Sequence, residues 1–113
     1  MAEVRKVLGQ AAPAATTETD LYIVASSSTG VNQAVSSSVV ICNRGGAAGT
    51  FRVSVSVAGG ATVNKDYLFY DVSVAKNTTY VATLGATLGS SDVVRVYASS
   101  ANFSFSLFGV ELT

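Results

Sequence analysis

The side chains that could do chemistry in this chain are few, and they lack their usual partners. There are seven acidic and seven basic residues, one cysteine and no histidine. A nucleophilic serine or threonine needs a neighbouring base, most often histidine, so the many hydroxyl groups do not predict a catalytic triad. Paired carboxylates could support hydrolysis, but only Asp71 lies inside a predicted strand, and most other acids fall in predicted turns or in the first 18 residues. The sequence therefore predicts a protein that is not an enzyme.

Metal and cofactor sites are not predicted either. Zinc is held by cysteine and histidine side chains, and Cys42 is the one cysteine of the chain; we interpret it as a small buried hydrophobe. Loop oxygens around Asn64 and Asp66 do not form a calcium-binding signature. Gly45–Gly46 and Gly59–Gly60 are typical of turns rather than of phosphate-binding loops. We expect no metal, no cofactor and no small-molecule substrate.

The composition indicates a neutral protein that packs against other subunits. The formal net charge is zero, 49% of the residues are hydrophobic and only 12% are charged. A neutral chain has no long-range field to attract nucleic acid or acidic lipid, and it has little self-repulsion. No apolar run reaches the roughly 18 residues of a membrane helix, and the first ten residues lack the apolar core of a secretory signal. We therefore expect no nucleic-acid or membrane partner and a protein made in a cytoplasm.

Alternation of apolar and polar residues with a period of two predicts an all-β domain from about residue 19 to residue 113. Thr50–Ala58 is the clearest strand. Its apolar side chains are predicted to be buried (Phe51, Val53, Val55 and Val57) and its polar ones exposed (Thr50, Arg52, Ser54 and Ser56). Turn signals recur at short intervals and no helical period is present. The pattern predicts a single antiparallel β-sandwich or small barrel of about seven to eight strands.

Four details of this layout are specific enough to be checked. Residues 26–32 are a predicted turn, and Arg44–Ala47 is a predicted β-hairpin connection. Tyr67–Val74 is a predicted strand with Leu68, Tyr70, Val72 and Val74 on one face. Residues 85–92 are predicted to form a loop rich in glycine and serine.

The first 18 residues are predicted to be an extended arm outside the sandwich. Residues Gln10–Thr17 show no periodicity and contain the only proline, Pro13. The segment Val4–Leu8 combines basic and apolar side chains, which we interpret as an anchor for a partner. We expect deletion of residues 1–12 to leave the fold intact and to weaken attachment.

The last predicted strand, residues 103–111, is nearly apolar on both faces. Phe103, Phe105 and Leu107 lie on one face, and Phe108 and Val110 lie on the other. One sandwich interior can cover only one of these faces, so the second is predicted to meet the arm or another subunit. The predicted partner-contact residues are Val4, Arg5, Lys6, Val7, Leu8, Pro13, Phe103, Phe105, Phe108 and Val110.

Segments spread over nearly the whole chain resemble small virion structural proteins of tailed bacteriophages and cyanophages. They are Val7–Tyr22, Ser38–Gly45, Thr50–Val53, Lys65–Asp71 and Asp92–Ala98. These motifs are structural rather than catalytic. The resemblance implies a capsid cement or decoration protein, a class that is β-rich, often trimeric and seated on the shell where capsomers meet.

The resemblance also implies partners and a location. The partner is expected to be the major capsid protein, the oligomer a homotrimer, and the location the capsid surface of a virion assembled in the host bacterial cytoplasm. A subunit that binds across a capsomer joint stabilises the closed shell by its binding free energy. The three linked binding sites of a trimer would give strong overall binding even where each single contact is modest.

Two other functions remain open at this point. The same architecture would serve a tail, baseplate or fibre-associated structural subunit. A carbohydrate- or receptor-binding module is the other alternative, because exposed tyrosines could stack on sugar rings. The candidate tyrosines for this function are Tyr22, Tyr67, Tyr80 and Tyr97.

Overall fold

Two four-stranded antiparallel sheets pack face to face in the computed structural model, which describes residues 3–25 and 33–112. The predicted all-β sandwich is confirmed, and the predicted turn at residues 26–32 lies outside the described residues. The strands are β1 (Glu3–Ala11), β2 (Thr19–Ile23), β3 (Gln33–Asn43), β4 (Gly49–Ser56), β5 (Tyr67–Val74), β6 (Thr78–Gly89), β7 (Val93–Ala98) and β8 (Phe103–Leu112). Sheet A has the order β1-β8-β3-β6, and sheet B has the order β2-β7-β4-β5.

The order of the strands is that of a jelly roll. Only β4 and β5 are consecutive in the described sequence and neighbours in one sheet, and all other consecutive strands lie in opposite sheets. Eight strands wound in this way form two Greek keys and close a sandwich around one core. The hairpin predicted at Arg44–Ala47 is therefore wrong, because the two strands that this segment joins belong to different sheets.

A buried asparagine turns the chain from sheet A to sheet B. Asn43 ends β3 and is only 1% exposed. Its side-chain amide donates to the carbonyl oxygens of Ala47 at 2.9 Å, Val74 at 3.1 Å and Ala75 at 3.3 Å. Its Oδ1 accepts from the backbone N–H of Gly45 at 2.9 Å. One side chain thus joins the β3–β4 connection to the end of β5.

Aromatic rings from both sheets fill the core. Phe103 and Phe105 of sheet A and Phe51 of sheet B are all essentially inaccessible to solvent. The rings of Phe51 and Phe105 meet edge to face with centroids 6.2 Å apart. The alternation in β4 predicts the burial of Phe51 and Val53 correctly, because one face of that strand meets sheet A.

The separate N-terminal arm predicted for residues 1–18 is not confirmed. Residues Glu3–Ala11 form β1, which pairs with β8 along sheet A. Leu8 enters the core at a β-bulge between Val7 and Gly9, and Pro13 is buried as well. A deletion of residues 1–12 would remove an edge strand and a core side chain. In contrast to the expectation from the sequence that the fold would stay intact, we expect this deletion to destabilise the sandwich.

Two irregular strands differ from their predicted forms. β6 continues to Gly89, so the loop predicted from residue 85 is wrong; Gly85 adopts a φ of 62° within the strand, which glycine tolerates at low cost. In β5, shifts of register place Phe69 and Val72 towards the core and leave Tyr70 and Asp71 both facing outwards. The predicted single apolar face of β5 is therefore wrong as well.

Residues 57–66 fold back over the outer face of sheet B. They follow β4 and include two short 3-10 turns, Val57–Gly59 and Asn64–Asp66. Ser54 and Ser56 of β4 are only 2% and 1% exposed, so their predicted exposure is wrong. The period of two assigned them correctly to the outer face, but it does not show that a loop covers that face.

Candidate functional site

The outer face of sheet A brings together the exposed residues of β1 and β8. The antiparallel register sets Arg5 opposite Val110 and Val7 opposite Phe108. Residues directly opposite each other in adjacent strands share a face. Their inner neighbours, among them Phe105 and Leu107, are buried, so these two pairs lie on the outside of the sandwich.

An open groove follows the β1–β8 seam. One depression of about 550 Å³ is lined by Arg5, Lys6, Val7, Ser37, Phe108, Gly109 and Val110. A second depression of about 360 Å³ continues it along the same two strands and is lined by Gln10, Ala11, Ala12, Ser104, Phe105 and Ser106. The groove is shallow and mixes apolar, hydroxyl and cationic side chains.

The apolar character continues across the rest of this face. Val35 lies opposite Val110, Val40 lies opposite Ser106, and Val81 of β6 lies opposite Val40. The outward residues of β8, β3 and β6 on this face are serine, threonine, glutamine, cysteine and apolar residues, with no charge among them. The surface therefore suits contact with another protein surface rather than with a polyanion.

Five of the ten predicted partner-contact residues meet at the larger depression of this groove, and five do not. Arg5, Lys6, Val7, Phe108 and Val110 line it. The ammonium group of Lys6 nevertheless bonds Glu111, so the charge that faces this depression is that of Arg5. Val4 is exposed, but its register partner is Glu111, which places it on the opposite side of β1. The remaining four are inside the sandwich, where they support the fold and do not reach a partner: Leu8, Pro13, Phe103 and Phe105.

A small polar cluster closes the sandwich beneath the far end of this seam. The Tyr22 hydroxyl donates to Glu111 Oε2 at 2.7 Å, and Lys6 Nζ donates to Glu111 Oε1 at 3.4 Å. Burial, followed by the hydrogen bond and the charge of Glu111, raises the pKa of the Tyr22 phenol. Tyr22 is only 8% exposed, so it is not available for a sugar.

A cluster of tyrosines around an arginine lies on the outer face of sheet B. The Arg52 guanidinium carbon is 4.3 Å from the ring centroids of both Tyr70 and Tyr97. Arg52 also donates to both carboxylate oxygens of Asp71, at 2.7 and 3.3 Å, which raises the pKa of the guanidinium. Tyr67 meets Tyr70 edge to face, with centroids 4.8 Å apart.

The bulge in β5 builds this cluster. Asp71 has a φ of 51°, a value that is uncommon for a residue other than glycine. This left-handed residue allows two consecutive side chains, Tyr70 and Asp71, to reach Arg52 from the same strand. Bulges and strained backbone positions occur frequently at functional sites. A depression of about 250 Å³, lined by Asn64, Tyr67 and Tyr70, lies beside it.

The structure brings together two of the four tyrosines proposed for sugar stacking. Tyr67 and Tyr97 belong to the cluster, whereas Tyr22 is buried and Tyr80 packs against the ring of Phe51 in the core. Sequence reasoning missed Tyr70, which is 56% exposed, because a strict period of two assigns it to the inner face. The sequence carries no clear signal for the bulge in β5 that turns Tyr70 to the outer face.

A second arginine anchors the loop that covers sheet B. Arg95 Nε donates to Asp20 Oδ1 at 2.9 Å, and Nη1 donates to the Gly60 carbonyl at 2.7 Å. The same guanidinium reaches Ser56 Oγ at 2.9 Å and Thr62 Oγ1 at 3.1 Å. The N–H groups of this guanidinium donate to other residues of the same chain, so we assign Arg95 a structural role.

Within residues 3–25 and 33–112, no three histidine, cysteine, aspartate or glutamate side chains converge in a way that could hold a metal ion. In the same part of the chain, no helix is long and apolar enough to cross a membrane. No protein-family model matches the chain, and no curated protein matches it.

Proposed function

We propose that this chain is a non-enzymatic structural subunit of a virion, a capsid cement or decoration protein that docks through the outer face of sheet A. The observation that supports the proposal is the β1–β8 groove, where Arg5, Lys6, Val7, Phe108 and Val110 meet. Jelly rolls occur in viral capsid domains. This similarity of fold agrees with the proposal, but a fold by itself does not establish a function.

The expected partner is the major capsid protein, at joints between capsomers on the surface of the particle. A cement subunit needs a broad, uncharged surface that excludes water against a neighbour, and the outward residues of β8, β3 and β6 provide one. Apolar contact at its centre, with hydroxyl groups around it, is the usual arrangement of a protein interface.

The size of the face explains why several copies would act together. Four strands about 4.8 Å apart and about ten residues long present a face of about 600 Å². A stable interface usually buries about 800 Å² on each partner. One copy would therefore bind weakly, and linked copies would hold the shell by avidity. The homotrimer implied by the resemblance belongs to this proposal.

The test is co-sedimentation of the purified protein with phage shells that lack it. We expect the wild-type chain to sediment with the shells and Val7→Lys to lose at least tenfold in affinity, because a lysine at the groove must be desolvated on docking. Val57→Lys is the matched control: Val57 is 75% exposed in the segment that covers sheet B, and its replacement should leave binding unchanged.

The outcomes separate the alternative locations. Binding to purified tails or baseplates, but not to shells, would assign the same face to a tail, baseplate or fibre-associated subunit. Absence of the wild-type chain from shells, tails and baseplates would refute the virion proposal. Equal loss of binding in Val7→Lys and Val57→Lys would refute the assignment of the docking face.

The tyrosine–arginine cluster supports carbohydrate binding as a second candidate function. An exposed ring at Tyr70, flanked by Arg52, Asp71 and Asn64, offers an apolar surface beside planar hydrogen-bonding groups. Such a function predicts binding of the isolated protein to a glycan array. Tyr70→Ala should abolish that binding, and Leu68→Ala, at an exposed residue of the same strand, should not.

A further inference from the structure

One edge of the sandwich lacks the features that usually protect an unpaired strand. Among residues 3–25 and 33–112, no strand pairs with the outer side of β6, which is the edge of sheet A opposite β1. Its twelve residues, Thr78–Gly89, include no charged residue and no proline. An edge strand without such residues presents its N–H and carbonyl groups to any strand that can pair with them.

The other three edges in the described structure are protected. β1 carries the charged residues Glu3, Arg5 and Lys6. β2 is only five residues long, and its Asp20 is engaged in an ion pair. β5 has two shifts of register, with Asp71 in a left-handed conformation. Charge, short length and bulges are established ways to prevent pairing of edges. β6 has one shift of register, next to Gly85, so the stretch of β6 that precedes it, from Thr78, is the exception.

Apolar side chains along the β6 side of the sandwich are incompletely covered. Tyr80 and Leu84 of β6, with Phe69 and Val72 of β5, pack against the core but remain partly accessible. Val81, in the middle of the straight part of β6, is 64% exposed. A partner strand at this edge would satisfy the free backbone groups and cover these side chains at the same time.

We propose that β6 is a self-association edge, at which two copies of this chain pair their β6 strands in antiparallel fashion about a two-fold axis through Val81. The pairing segment is Thr78–Leu84, which runs from the start of β6 to the irregularity at Gly85. In this register Val81 lies opposite Val81 of the second copy. An antiparallel contact of a strand with itself is isologous and therefore closed.

The residues of this segment are complementary to themselves. About Val81, the large Tyr80 side chain lies opposite the small Ala82 of the second copy, and Thr79 lies opposite Thr83. Cross-strand pairs of threonine with threonine stabilise adjacent strands, and the small Ala82 leaves room for the ring of Tyr80. The absence of charge means that the two-fold axis brings no like charges together. A second copy is therefore the occupant that this edge fits best.

The contact would join two copies of sheet A into one continuous eight-stranded sheet. Copy number in solution would then be even: a dimer, or a hexamer if a three-fold contact also forms. The proposal is tested without particles, so its outcome is distinguishable from that of the virion function. The two share the outer face of sheet A, on which Val81 lies: a homotrimer in solution would agree with the proposed function and overturn the β6 contact, whereas a hexamer would agree with both.

The test is the mass of the purified protein in solution, measured by light scattering at high micromolar concentration. We expect an even number of copies for the wild type, and half that mass for Val81→Lys, since two lysines would face each other across the axis. Val81→Glu alone should behave in the same way. Mixing the two variants in equal amounts should restore the wild-type mass, because lysine then lies opposite glutamate. Val57→Lys should leave the mass unchanged.

Four results would overturn the proposal. An odd number of copies in the wild type, monomer included, excludes the two-fold contact. A wild-type mass that persists in Val81→Lys excludes Val81 from the interface. Failure of the mixed variants to associate excludes the register centred on Val81. A mass that falls equally in Val57→Lys shows that the effect is not specific to β6.

Discussion

Replacement of Asn43 by alanine tests whether one buried amide holds the crossing between the two sheets. The variant removes the donor to the carbonyl oxygens of Ala47 and Val74 and the acceptor for the N–H of Gly45. The bonds to Val74 and Gly45 are themselves buried, so water cannot readily replace the lost partner. A buried polar group without a partner costs about 1–3 kcal/mol.

The expected loss is about 3 kcal/mol in the free energy of unfolding, because two such groups are affected and the connection can partly relax. A domain of this length has a total stability of about 6–17 kcal/mol, so the variant should still fold. The same loss corresponds to a decrease in Tm of about 12 °C.

Urea denaturation followed by far-UV circular dichroism measures this change, since the chain has no tryptophan to report unfolding. The midpoint should fall at constant slope, which indicates a change in stability rather than in the denatured state. Asn64→Ala is the matched control: Asn64 is exposed in the turn before β5, and its loss should cost less than about 0.5 kcal/mol.

Asn43→Asp separates the contribution of the amide donor, Nδ2, from that of the amide acceptor, Oδ1. The carboxylate keeps the acceptor for Gly45 but replaces the amide donors and faces carbonyl oxygens in a buried site. At neutral pH we expect a greater loss than in Asn43→Ala. Burial raises the pKa of such a carboxyl, so part of the loss should be recovered as the pH falls towards about 4. Equal stability of Asn43→Ala and Asn64→Ala would refute this account of the crossing.

Three further predictions follow from single contacts. The pKa of Tyr22 is raised in the folded state, so the unfolded tyrosine loses its proton first and stability should decline as the pH rises above about 10; Tyr22→Phe should reduce that decline in urea titrations, and an identical decline would contradict the assignment. A Cβ at Gly109 would strike the backbone of β3, whereas one at Gly46 meets open space, so Gly109→Ala should lose about 2 kcal/mol or more and Gly46→Ala less than about 0.5 kcal/mol in thermal unfolding. Arg95→Met should release the loop over sheet B and speed tryptic cleavage after Lys65, as followed by mass spectrometry; unchanged cleavage would show that other contacts hold the loop.

The class of fold could be predicted from local pattern alone. Alternation in β4 assigns its side chains to two faces, and the burial of Phe51 and Val53 confirms the inner face. It does not indicate exposure, since Ser54 and Ser56 on the other face are buried as well, and Val57, which the same pattern predicts to be buried, is 75% exposed. The two-faced apolar pattern of β8 indicates that its second face needs cover, and Phe108 and Val110 do lie on an outer face. Such predictions succeed because burial on one side of a strand depends on a period of two, which each segment carries in itself.

The candidate sites could not be predicted from local pattern, because they depend on how strands pair and where a strand is irregular. A bulge inverts the faces of the residues that follow it, so Tyr70 reached Arg52 against the local pattern. Residues Glu3–Ala11 could not be recognised as an edge strand, since their polar and apolar residues do not alternate and the pairing partner is β8 at the other end of the chain.

The sequence by itself determined that this protein is a neutral, all-β domain poor in catalytic side chains. Only the tertiary structure decided which strands are neighbours, which edge is unprotected and which of the predicted contact residues reach the surface. The physical reason is that composition and period act locally, whereas strand order is set by packing between residues distant in sequence. β1 and β8 meet from opposite ends of the chain, and the groove between them exists only once both sheets have closed around the core.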